Sequence, residues 1–165
     1  MNFRSVHMVA LLALLASVLV GAAVASADAP ADAPAAAPDT ALTGVTAVSS
    51  GSSHTCVINA DKTVSCWGNN TAGQLGDGTT ISRDLPKAVS GLTNVTQIAV
   101  GGAHTCAVTG DGAMWCWGSS SNGQIGDDAK VNRLIPVQVS GLPFGVKAIA
   151  AGSAHTCAVR ETDNS

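Results

Sequence analysis

The sequence predicts an all-β fold: a β-propeller of four-stranded antiparallel blades, incomplete, with about two and a third repeats. The first observation is a pattern that recurs about every fifty residues, at 54–76, at 104–126 and again from His155; such a period indicates a repeat architecture. The second is that each copy consists of short apolar runs bounded by Gly, Ser and Asp, which predict strands rather than helices. Four short antiparallel strands in a unit of this length form the blade of a β-propeller.

The first 27 residues predict a secretory signal peptide. Arg4 precedes the apolar run 9–20, and Ala25-Ser26-Ala27 offers a small-residue cleavage site, so Asp28 is the expected mature N-terminus. An uncleaved anchor is the alternative, because the apolar leader is almost long enough to span a bilayer. Residues 28–41 are rich in Ala, Pro and Asp, which predicts a disordered linker.

The charge balance does not favour a nucleic-acid partner. The chain has 11 acidic and 8 basic residues and a net charge of −3. The repeat region 42–165 is close to neutral and has no basic stripe that could follow a phosphate backbone. We expect no nucleic acid as partner and no membrane contact once the leader is cleaved.

The repeat region divides into units 45–94, 95–145 and a partial unit 146–165. Each unit opens on an apolar segment that predicts its first strand. A turn of small residues follows, and then a His-Thr-Cys run begins the second strand. The expected first strands are 45–48, 95–100 and 146–150.

Turn residues separate the second strand from the third. Asp61-Lys62 in the first unit and Gly110-Asp111-Gly112 in the second are suited to a chain reversal. Pro86 and Pro136 stand at the start of the expected fourth strands, where a missing N–H is tolerated. The expected third and fourth strands, in chain order, are 64–67, 87–89, 114–117 and 137–139.

Several motifs recur in register from Val45 to the C-terminus: His-Thr-Cys-Ala-Val, Trp-Cys-Trp-Gly, Asn-x-x-x-Gly-Gln-Leu-Gly-Asp-Gly-Thr and Pro-x-x-Val. They resemble the regulator-of-chromosome-condensation repeat family, here as an exported, bacterial-type member with a partial array. The resemblance implies a seven-bladed propeller, which the units present cannot close alone. Two explanations stay open: a fragment of a longer protein, or identical chains that assemble to complete the ring. Either way we expect marginal stability or self-association, since repeat arrays generally need three or more units.

Cysteine spacing predicts one disulfide in each complete repeat. Cys56 and Cys66 are ten residues apart, as are Cys106 and Cys116, and each pair is centred on an expected turn. Residues equidistant from a hairpin turn face each other across the two strands, and export permits oxidation. Free buried thiols are the alternative. Cys157 is expected to be unpaired, because the second strand of its hairpin would lie beyond Ser165.

Three histidines, His54, His104 and His155, each stand two residues before a cysteine. Zinc binding is one interpretation, but one His and two Cys per unit do not supply four ligands. We therefore favour structural histidines that bond the backbone at the inner edge of the blade, and we expect no metal and no cofactor.

The tryptophans divide into two kinds. Trp67 and Trp117 occupy equivalent places, each before a glycine (Gly68 and Gly118), and this predicts packing between blades. Trp115 has Ser65 at its equivalent place, so we expect it to be exposed and to anchor a partner, a common role of Trp in binding hot spots.

No catalytic constellation is present: the sequence lacks a phosphate-binding loop and a nucleophile elbow. We expect a non-catalytic protein, secreted or held at the cell surface or in the periplasm, that binds another protein of unknown identity through its loops. The segments that differ most between the copies are 78–85 against 128–135, and 69–72 against 119–122. The candidate contact residues are Trp115, Arg83, Asp84, Asp128, Lys130 and Arg133.

The resemblance adds more specific functions. The family includes a secreted inhibitor that caps β-lactamases, so an inhibitor is one form of the hypothesis and a cell-surface adaptor is another. The resemblance also implies nucleotide exchange, so a guanine-nucleotide exchange factor for a small GTPase is an alternative, although export places the chain in the wrong compartment. A propeller-scaffold hydrolase or lyase is the third hypothesis, and the fold alone does not decide it.

Overall fold

The computed structural model describes residues 42–161, and all regular structure in that range is β. The expected signal peptide (1–27) and linker (28–41) lie outside the described residues. The strands form two four-stranded sheets and one two-stranded sheet, all antiparallel. The predicted propeller blades are confirmed. Within residues 42–161 no helix is long and apolar enough to cross a bilayer.

Each sheet is built from strands that follow one another in sequence. Blade 1 has the order β1-β2-β3-β4, blade 2 the order β5-β6-β7-β8, and blade 3 consists of β9 and β10. The strands are β1 (Val45–Ser50), β2 (His54–Asn59), β3 (Val64–Gly68), β4 (Arg83–Ala88), β5 (Val95–Val100), β6 (His104–Thr109), β7 (Met114–Gly118), β8 (Arg133–Gln138), β9 (Val146–Ala151) and β10 (Thr156–Arg160).

The turn between β2 and β3 forms where the sequence predicts it. The carboxylate of Asp61 accepts hydrogen bonds from the backbone N–H and the hydroxyl of Thr63, at 3.0 and 2.6 Å. Lys62 adopts a positive φ of 62°, and its equivalent in blade 2 is Gly112 with a φ of 78°. Only glycine enters that region without a steric cost, so the second copy of the turn has the residue better suited to it.

The expected start of the fourth strands is wrong. β4 begins at Arg83 and β8 at Arg133, four residues before the expected 87 and 137, so Pro86 and Pro136 lie inside the strands. The proline is tolerated because β4 is the edge strand of its sheet, and because Pro86 falls where the pairing with β3 is irregular, between Cys66↔Lys87 and Gly68↔Arg83. The first and third strands differ from expectation by two residues or fewer at their ends.

The hydrophobic core lies between successive blades rather than inside one sheet. One cluster joins Leu75 and Val89 of blade 1 to Val100 and Trp117 of blade 2. A second cluster lies on the side of blade 2 that faces blade 3 and includes Ile125. Every residue of β6 is buried, because blade 2 has a neighbour on both sides. A blade therefore depends on its neighbours to remove its apolar side chains from water.

Both predicted disulfides are present, Cys56–Cys66 and Cys106–Cys116. The cysteines of each pair are directly opposite across the hairpin, with Cα atoms 4.1 Å apart. This is the close spacing typical of an opposed pair that lacks backbone hydrogen bonds. Among the described cysteines only Cys157 is free, and it is exposed on β10.

Candidate functional site

Blades 1 and 2 are joined by three side chains and one backbone carbonyl. His54 Nε2 of blade 1 lies 2.8 Å from Thr105 Oγ1 of blade 2. The Thr105 hydroxyl donates to the backbone carbonyl of Gln74 in blade 1 at 2.9 Å, and Trp117 Nε1 donates to the same carbonyl at 2.9 Å. We call His54, Thr105, Gln74 and Trp117 the inter-blade network. Because its members come from two blades, it fixes one blade against the next.

Part of the same network recurs between blades 2 and 3. His104 Nε2 lies 2.9 Å from Thr156 Oγ1, and Thr156 Oγ1 donates to the carbonyl of Gln124 at 2.9 Å. His155, the next histidine in the series, is exposed. The His-Thr pair of the repeat therefore acts across blades: each histidine bonds the threonine of the following unit.

The network determines which nitrogen of His54 carries the proton. The single hydrogen of the Thr105 hydroxyl goes to Gln74, so the hydroxyl must accept from Nε2–H of His54. Nδ1 of His54 and of His104 is then unprotonated, and both atoms are buried without a hydrogen-bond partner. The sequence led us to expect a bond to the backbone; the partner is instead a hydroxyl in the next blade, which only the packing of blades brings within reach.

Burial keeps these histidines neutral. Burial, with a smaller contribution from the nearby His104, lowers the pKa of His54 from 6.5 to about 4. Burial likewise lowers the pKa of His104, with a second contribution from His155. Removing an imidazolium from water disfavours the charged form, which is the cause in both cases. Among residues 42–161 no three His, Cys, Asp or Glu side chains are grouped so as to hold a metal ion.

The three tryptophans have different surroundings. Trp117 is fully buried between blades 1 and 2 as a member of the inter-blade network, whereas Trp67, at the equivalent place in blade 1, is half-buried. Trp115 is also half-buried: it packs against the first core cluster and lines a separate cleft with Thr109 and Asp111. Trp115 is therefore less exposed than the sequence led us to expect.

The connection between β3 and β4 (residues 69–82) is ordered by a buried amide. Asn70 Nδ2 donates to the Asp77 carboxylate and to the carbonyl of Ile81, both at 3.1 Å, and Asn70 Oδ1 accepts from the N–H of Leu75 at 2.9 Å. The Asn70 backbone N–H donates to the hydroxyl of Ser82. Asn70 therefore ties together positions of this connection from Leu75 to Ser82.

An ion pair between Asp77 and Arg83 also stabilises the β3–β4 connection, where it joins β4. Asp77 Oδ2 accepts from Arg83 Nη2 at 3.0 Å. Burial by itself would raise the pKa of the Asp77 carboxyl, but hydrogen bonds from Thr79, Arg83 and Asn70 lower it below its ordinary value. In blade 2 the equivalent pair, Asp127 and Arg133, has an Nε to Oδ2 distance of 2.6 Å.

The six candidate contact residues therefore have different environments. Arg83 and Arg133 are held by ion pairs inside their own blades, and Trp115 is half-buried. The exposed ones are Asp84, Asp128 and Lys130. The sequence carried a signal for the ion pairs that we did not use: in both copies an arginine follows an aspartate by six residues.

Sequence reasoning missed a set of exposed aliphatic side chains on these segments. They lie on the β3–β4 and β7–β8 connections and on the outer strands β4 and β8. We call them the outer-strand surface: Ile81, Leu85, Val131, Leu134 and Ile135. They lie in the segments 78–85 and 128–135 that differ most between the copies, outside the predicted strands, but nothing in the sequence showed that their aliphatic side chains are exposed rather than buried.

Comparison with known proteins agrees with this geometry. A family model described as the regulator of chromosome condensation (RCC1) repeat matches residues 63–108 and 111–159, more than half of the chain. A second model with the same description matches residues 45–74 and 95–124. The chain belongs to the RCC1 repeat family. The matches extend through blades 1 and 2 and, in the first model, to β10.

Solved structures of RCC1-type propellers are similar to this chain. Human WBSCR16 is 23% identical with a TM-score of 0.66, over 74% of this chain and 33% of its own. Yeast RCC1 (Prp20), in its structure bound to Kap60, is 25% identical with a TM-score of 0.61, over 71% of this chain and 30% of its own. Prp20p from Saccharomyces cerevisiae, described with its binding properties to Gsp1p and histones, is 16% identical with a TM-score of 0.64, over 78% of this chain and 33% of its own.

This RCC1-repeat chain therefore spans about a third of the length of the propellers it matches. At these identities the likeness to WBSCR16 and to the second Prp20p structure concerns the fold. Yeast RCC1 (Prp20), a propeller of this fold, binds another protein, Kap60.

Proposed function

We propose that this protein is a non-catalytic, exported RCC1-repeat protein that binds another protein through the outer-strand surface. The observation that carries the proposal is the exposure of that surface: Ile81, Leu85 and Val131 are each 60% exposed, and Ile135 is 49% exposed. Clustered exposed aliphatic side chains are costly to leave in water and commonly mark a site of protein association.

The surface is held in place before a partner arrives. The buried Asn70 and the Asp77–Arg83 pair order the segment that carries Ile81. The backbone N–H of Gly78 in blade 1 donates to the carbonyl of Leu134 in blade 2 at 3.0 Å. Contacts from both blades therefore position the aliphatic residues, and a preordered surface loses less conformational entropy on binding.

Charged residues border the aliphatic ones. Asp84 lies next to Leu85, and Asp128 and Lys130 lie close in sequence to Val131; all three are exposed. An apolar centre with a polar rim is the usual composition of a protein–protein interface. Trp115 lies in the separate cleft with Thr109 and Asp111 and would serve as a second contact. The partner would be a folded protein with a complementary apolar patch.

The disulfides support an oxidising location for this activity. Two cross-strand disulfides in a chain of this size are typical of exported proteins, and the expected leader gives a route. An extracellular or periplasmic binding protein of this kind would act as an inhibitor of its partner or as an adaptor at the cell surface. That yeast RCC1 (Prp20), a similar propeller, binds the protein Kap60 supports a protein as partner.

Affinity capture with matched variants tests the proposal. The purified chain is immobilised, incubated with culture supernatant and with a periplasmic or cell-surface extract of its source, and the retained proteins are identified by mass spectrometry. A Leu85→Ser/Ile135→Ser double variant should lose the specific partner. Phe144→Ser is the control: it removes an apolar side chain of similar exposure (59%) that lies outside the outer-strand surface. This variant should still retain the partner. The proposal would be contradicted if the wild-type chain and both variants retained the same partner equally, or if the wild-type chain retained no specific partner.

A further inference from the structure

A cleft of about 270 Å³ lies at the boundary between blades 1 and 2. Its blade 1 wall is the segment 91–94, which leads from β4 to β5, and its blade 2 wall consists of Thr109, Asp111 and Trp115. Both walls belong to the two four-stranded blades. Engineered cavities of about 150 Å³ already hold a benzene ring, so this cleft has room for one long side chain.

The chain departs from its own repeat at this cleft. Four positions on or beside its wall differ in kind from the equivalent positions of the other units: Trp115 replaces Ser65, Gly110 replaces Ala60, Gly112 replaces Lys62, and Asn94 replaces Gly44 and Gly145. Positions that serve the blade itself recur from unit to unit, as the cysteines do. A group of departures at one place therefore indicates a task that belongs to this cleft and not to the fold.

Asn94 is the departure that the backbone itself disfavours. Its φ is 56°, and its equivalents Gly44 and Gly145 have φ values of 71° and 79°. A residue with a Cβ enters this region only at a steric cost, although the cost is smaller for asparagine than for most residues. Gly110 makes room for the amide, since a Cβ built there would lie 2.6 Å from Asn94 Nδ2 and 3.0 Å from Oδ1. The chain thus places an amide on the cleft wall where the fold alone favours glycine.

Among the seven residues that line the cleft, only Asp111 carries a charge. Its carboxylate accepts from Thr109 Oγ1 at 2.5 Å and from the backbone N–H of Ala113 at 3.3 Å. These hydrogen bonds lower the pKa of the carboxyl below its ordinary value, so it is ionised at neutral pH. Both go to Oδ1, so Oδ2 can accept from a ligand. Lys62 approaches through its carbonyl, which accepts from the N–H of Val95 at 2.9 Å, but it does not line the cleft.

At the next blade boundary the chain places an arginine against an aromatic ring. Arg160 Cζ lies 5.9 Å from the centroid of the Phe144 ring, which is within the range of a cation–π interaction. Arg160 pairs with the first residue of β9, and Thr109 pairs with the first residue of β5, so the two positions are equivalent. At the boundary between blades 1 and 2 the short Thr109 therefore stands in the place of the arginine, beside an indole and a carboxylate.

We propose that this cleft binds an arginine side chain presented by the partner protein. The guanidinium donates to Asp111 Oδ2 and to the amide oxygen of Asn94, and it lies against the indole of Trp115. Arginine suits such a site better than lysine, because its planar guanidinium stacks on aromatic rings and offers several donors at fixed angles. The inference rests on the proposed function, in which Trp115 is a second contact, and names the group that this contact receives.

A free arginine side chain tests the cleft without the partner. The probe is N-acetyl-arginine amide, and N-acetyl-citrulline amide, which has nearly the same shape and no charge, is the control ligand. Each is titrated into the isotope-labelled full chain while NMR follows the indole N–H signals of the three tryptophans; the variant Trp115→Ser, which introduces the residue of blade 1, assigns the Trp115 signal. We expect a saturable shift of that signal with the arginine compound and at least about tenfold weaker binding of the citrulline compound.

Matched aspartate variants locate the bound guanidinium. Asp111→Asn keeps an acceptor for the two internal hydrogen bonds but removes the charge, and it should weaken binding at least about tenfold. Asp61→Asn makes the same change in the equivalent turn of blade 1, which lacks the tryptophan, and should leave binding unchanged. Asn94→Gly introduces the residue of the other units and should weaken binding about two- to tenfold. Circular dichroism checks that each variant is folded.

The outcomes separate this site from the outer-strand surface, with which it shares no residue. The Leu85→Ser/Ile135→Ser variant, which tests the proposed function by affinity capture, should bind the arginine compound as the wild type does. The cleft is not an arginine site if the Trp115 signal does not move, or if Asp111→Asn and Asp61→Asn have equal effects. A neutral disaccharide such as maltose should bind more weakly than the arginine compound; stronger binding would indicate a carbohydrate site and would overturn the proposal.

Discussion

At the scale of single residues, the same structural task is carried out by different residues in the two complete blades. In blade 1 the buried Asn70 receives support from the hydroxyl of Ser82; in blade 2 the equivalent places hold Ser120 and Asn132, and Asn132 Oδ1 accepts from the N–H of Ser120 at 3.1 Å. The amide and the hydroxyl have exchanged places. In both connections the backbone N–H of the buried residue donates to the side chain twelve positions later, whichever of the two residues carries the amide.

The inter-blade network should contribute measurably to stability. His54→Ala removes a buried hydrogen bond and the packing of the ring, and we expect the free energy of unfolding to fall by about 1–3 kcal/mol. Urea unfolding followed by tryptophan fluorescence measures it. His155→Ala changes the exposed histidine of the series and should shift the value by less than about 0.5 kcal/mol. Equal effects of the two substitutions would contradict the assigned role.

The lowered pKa of His54 predicts that the free energy of unfolding depends on pH. The unfolded chain takes up a proton on this residue near its ordinary pKa of 6.5, whereas the folded chain does so only near the lowered pKa of about 4. Stability is therefore complete above pH 6.5 and is lost as the pH falls toward 4, by an amount on the order of 3 kcal/mol for His54. The lowered pKa of His104 acts in the same direction.

Urea unfolding at pH 7, 6, 5 and 4 measures this dependence. His54→Gln keeps a donor for Thr105 but does not titrate, so it should flatten the curve and leave only the contribution of His104. Near pH 4 the lowered pKa values of the Asp61, Asp77 and Asp111 carboxyls also begin to reduce stability, so the histidine contribution is read between pH 7 and 5. A wild-type curve that is flat from pH 7 to 4 would be inconsistent with neutral buried histidines.

At the scale of elements, each complete blade is a pair of hairpins held by one covalent bond. The Cys56–Cys66 disulfide joins β2 to β3 at the centre of the sheet. Replacing both cysteines with alanine should lower the free energy of unfolding by about 2–3 kcal/mol, because the unfolded chain regains the freedom of the closed loop. Cys157→Ala is the matched control, since that thiol is exposed and free. If the double variant is as stable as the wild type, the disulfide does not stabilise the blade.

In the outer strand β4, contacts with neighbouring residues extend the strand through positions where the local sequence favours a loop. Pro86 and the residues before it favour a loop, yet β4 begins at Arg83, because Arg83 pairs with Gly68 and its guanidinium is held by Asp77. The strand is extended by contacts made at its first residue, and proline is placed where the pairing is already irregular. The start of this strand therefore depends on its pairing partner in β3 and on the ion pair with Asp77, which the local apolar pattern does not show.

At the scale of the whole molecule, blade 1 has an uncovered side. Ile98 of blade 2 packs against the core between blades 1 and 2, while its equivalent Val48 is 67% exposed. Trp67 is half-buried where Trp117 is fully buried. The described part of the chain therefore exposes on blade 1 the kind of surface that every following blade buries.

We expect the isolated chain to self-associate through that surface. Size-exclusion chromatography with light scattering should show a mass that rises with concentration, and Val48→Lys should weaken the association at least tenfold by placing a charge in the contact. Val131→Lys, equally charged but on the outer-strand surface, is the control. A monomer at every concentration would contradict the expectation.

Export makes a separate prediction about the intact chain. When it is produced with its leader in a host that carries out general secretion, the protein should be recovered outside the cytoplasm. N-terminal sequencing should begin at Asp28. Recovery in the cytoplasm with Met1 or Asn2 as the first residue would contradict the expected export.

The sequence by itself determined the repeat, the all-β blades and the two disulfides, because these follow from local apolar runs, turn residues and symmetric spacing about a turn. It did not determine that His54 bonds Thr105, that Trp117 rests on Gly76, or that Leu85 and Ile135 stay in water. Those are decided by which blade lies against which. In a propeller the core and the polar contacts form between units some fifty residues apart, so only the tertiary structure shows which side chains meet and which surfaces a partner can reach.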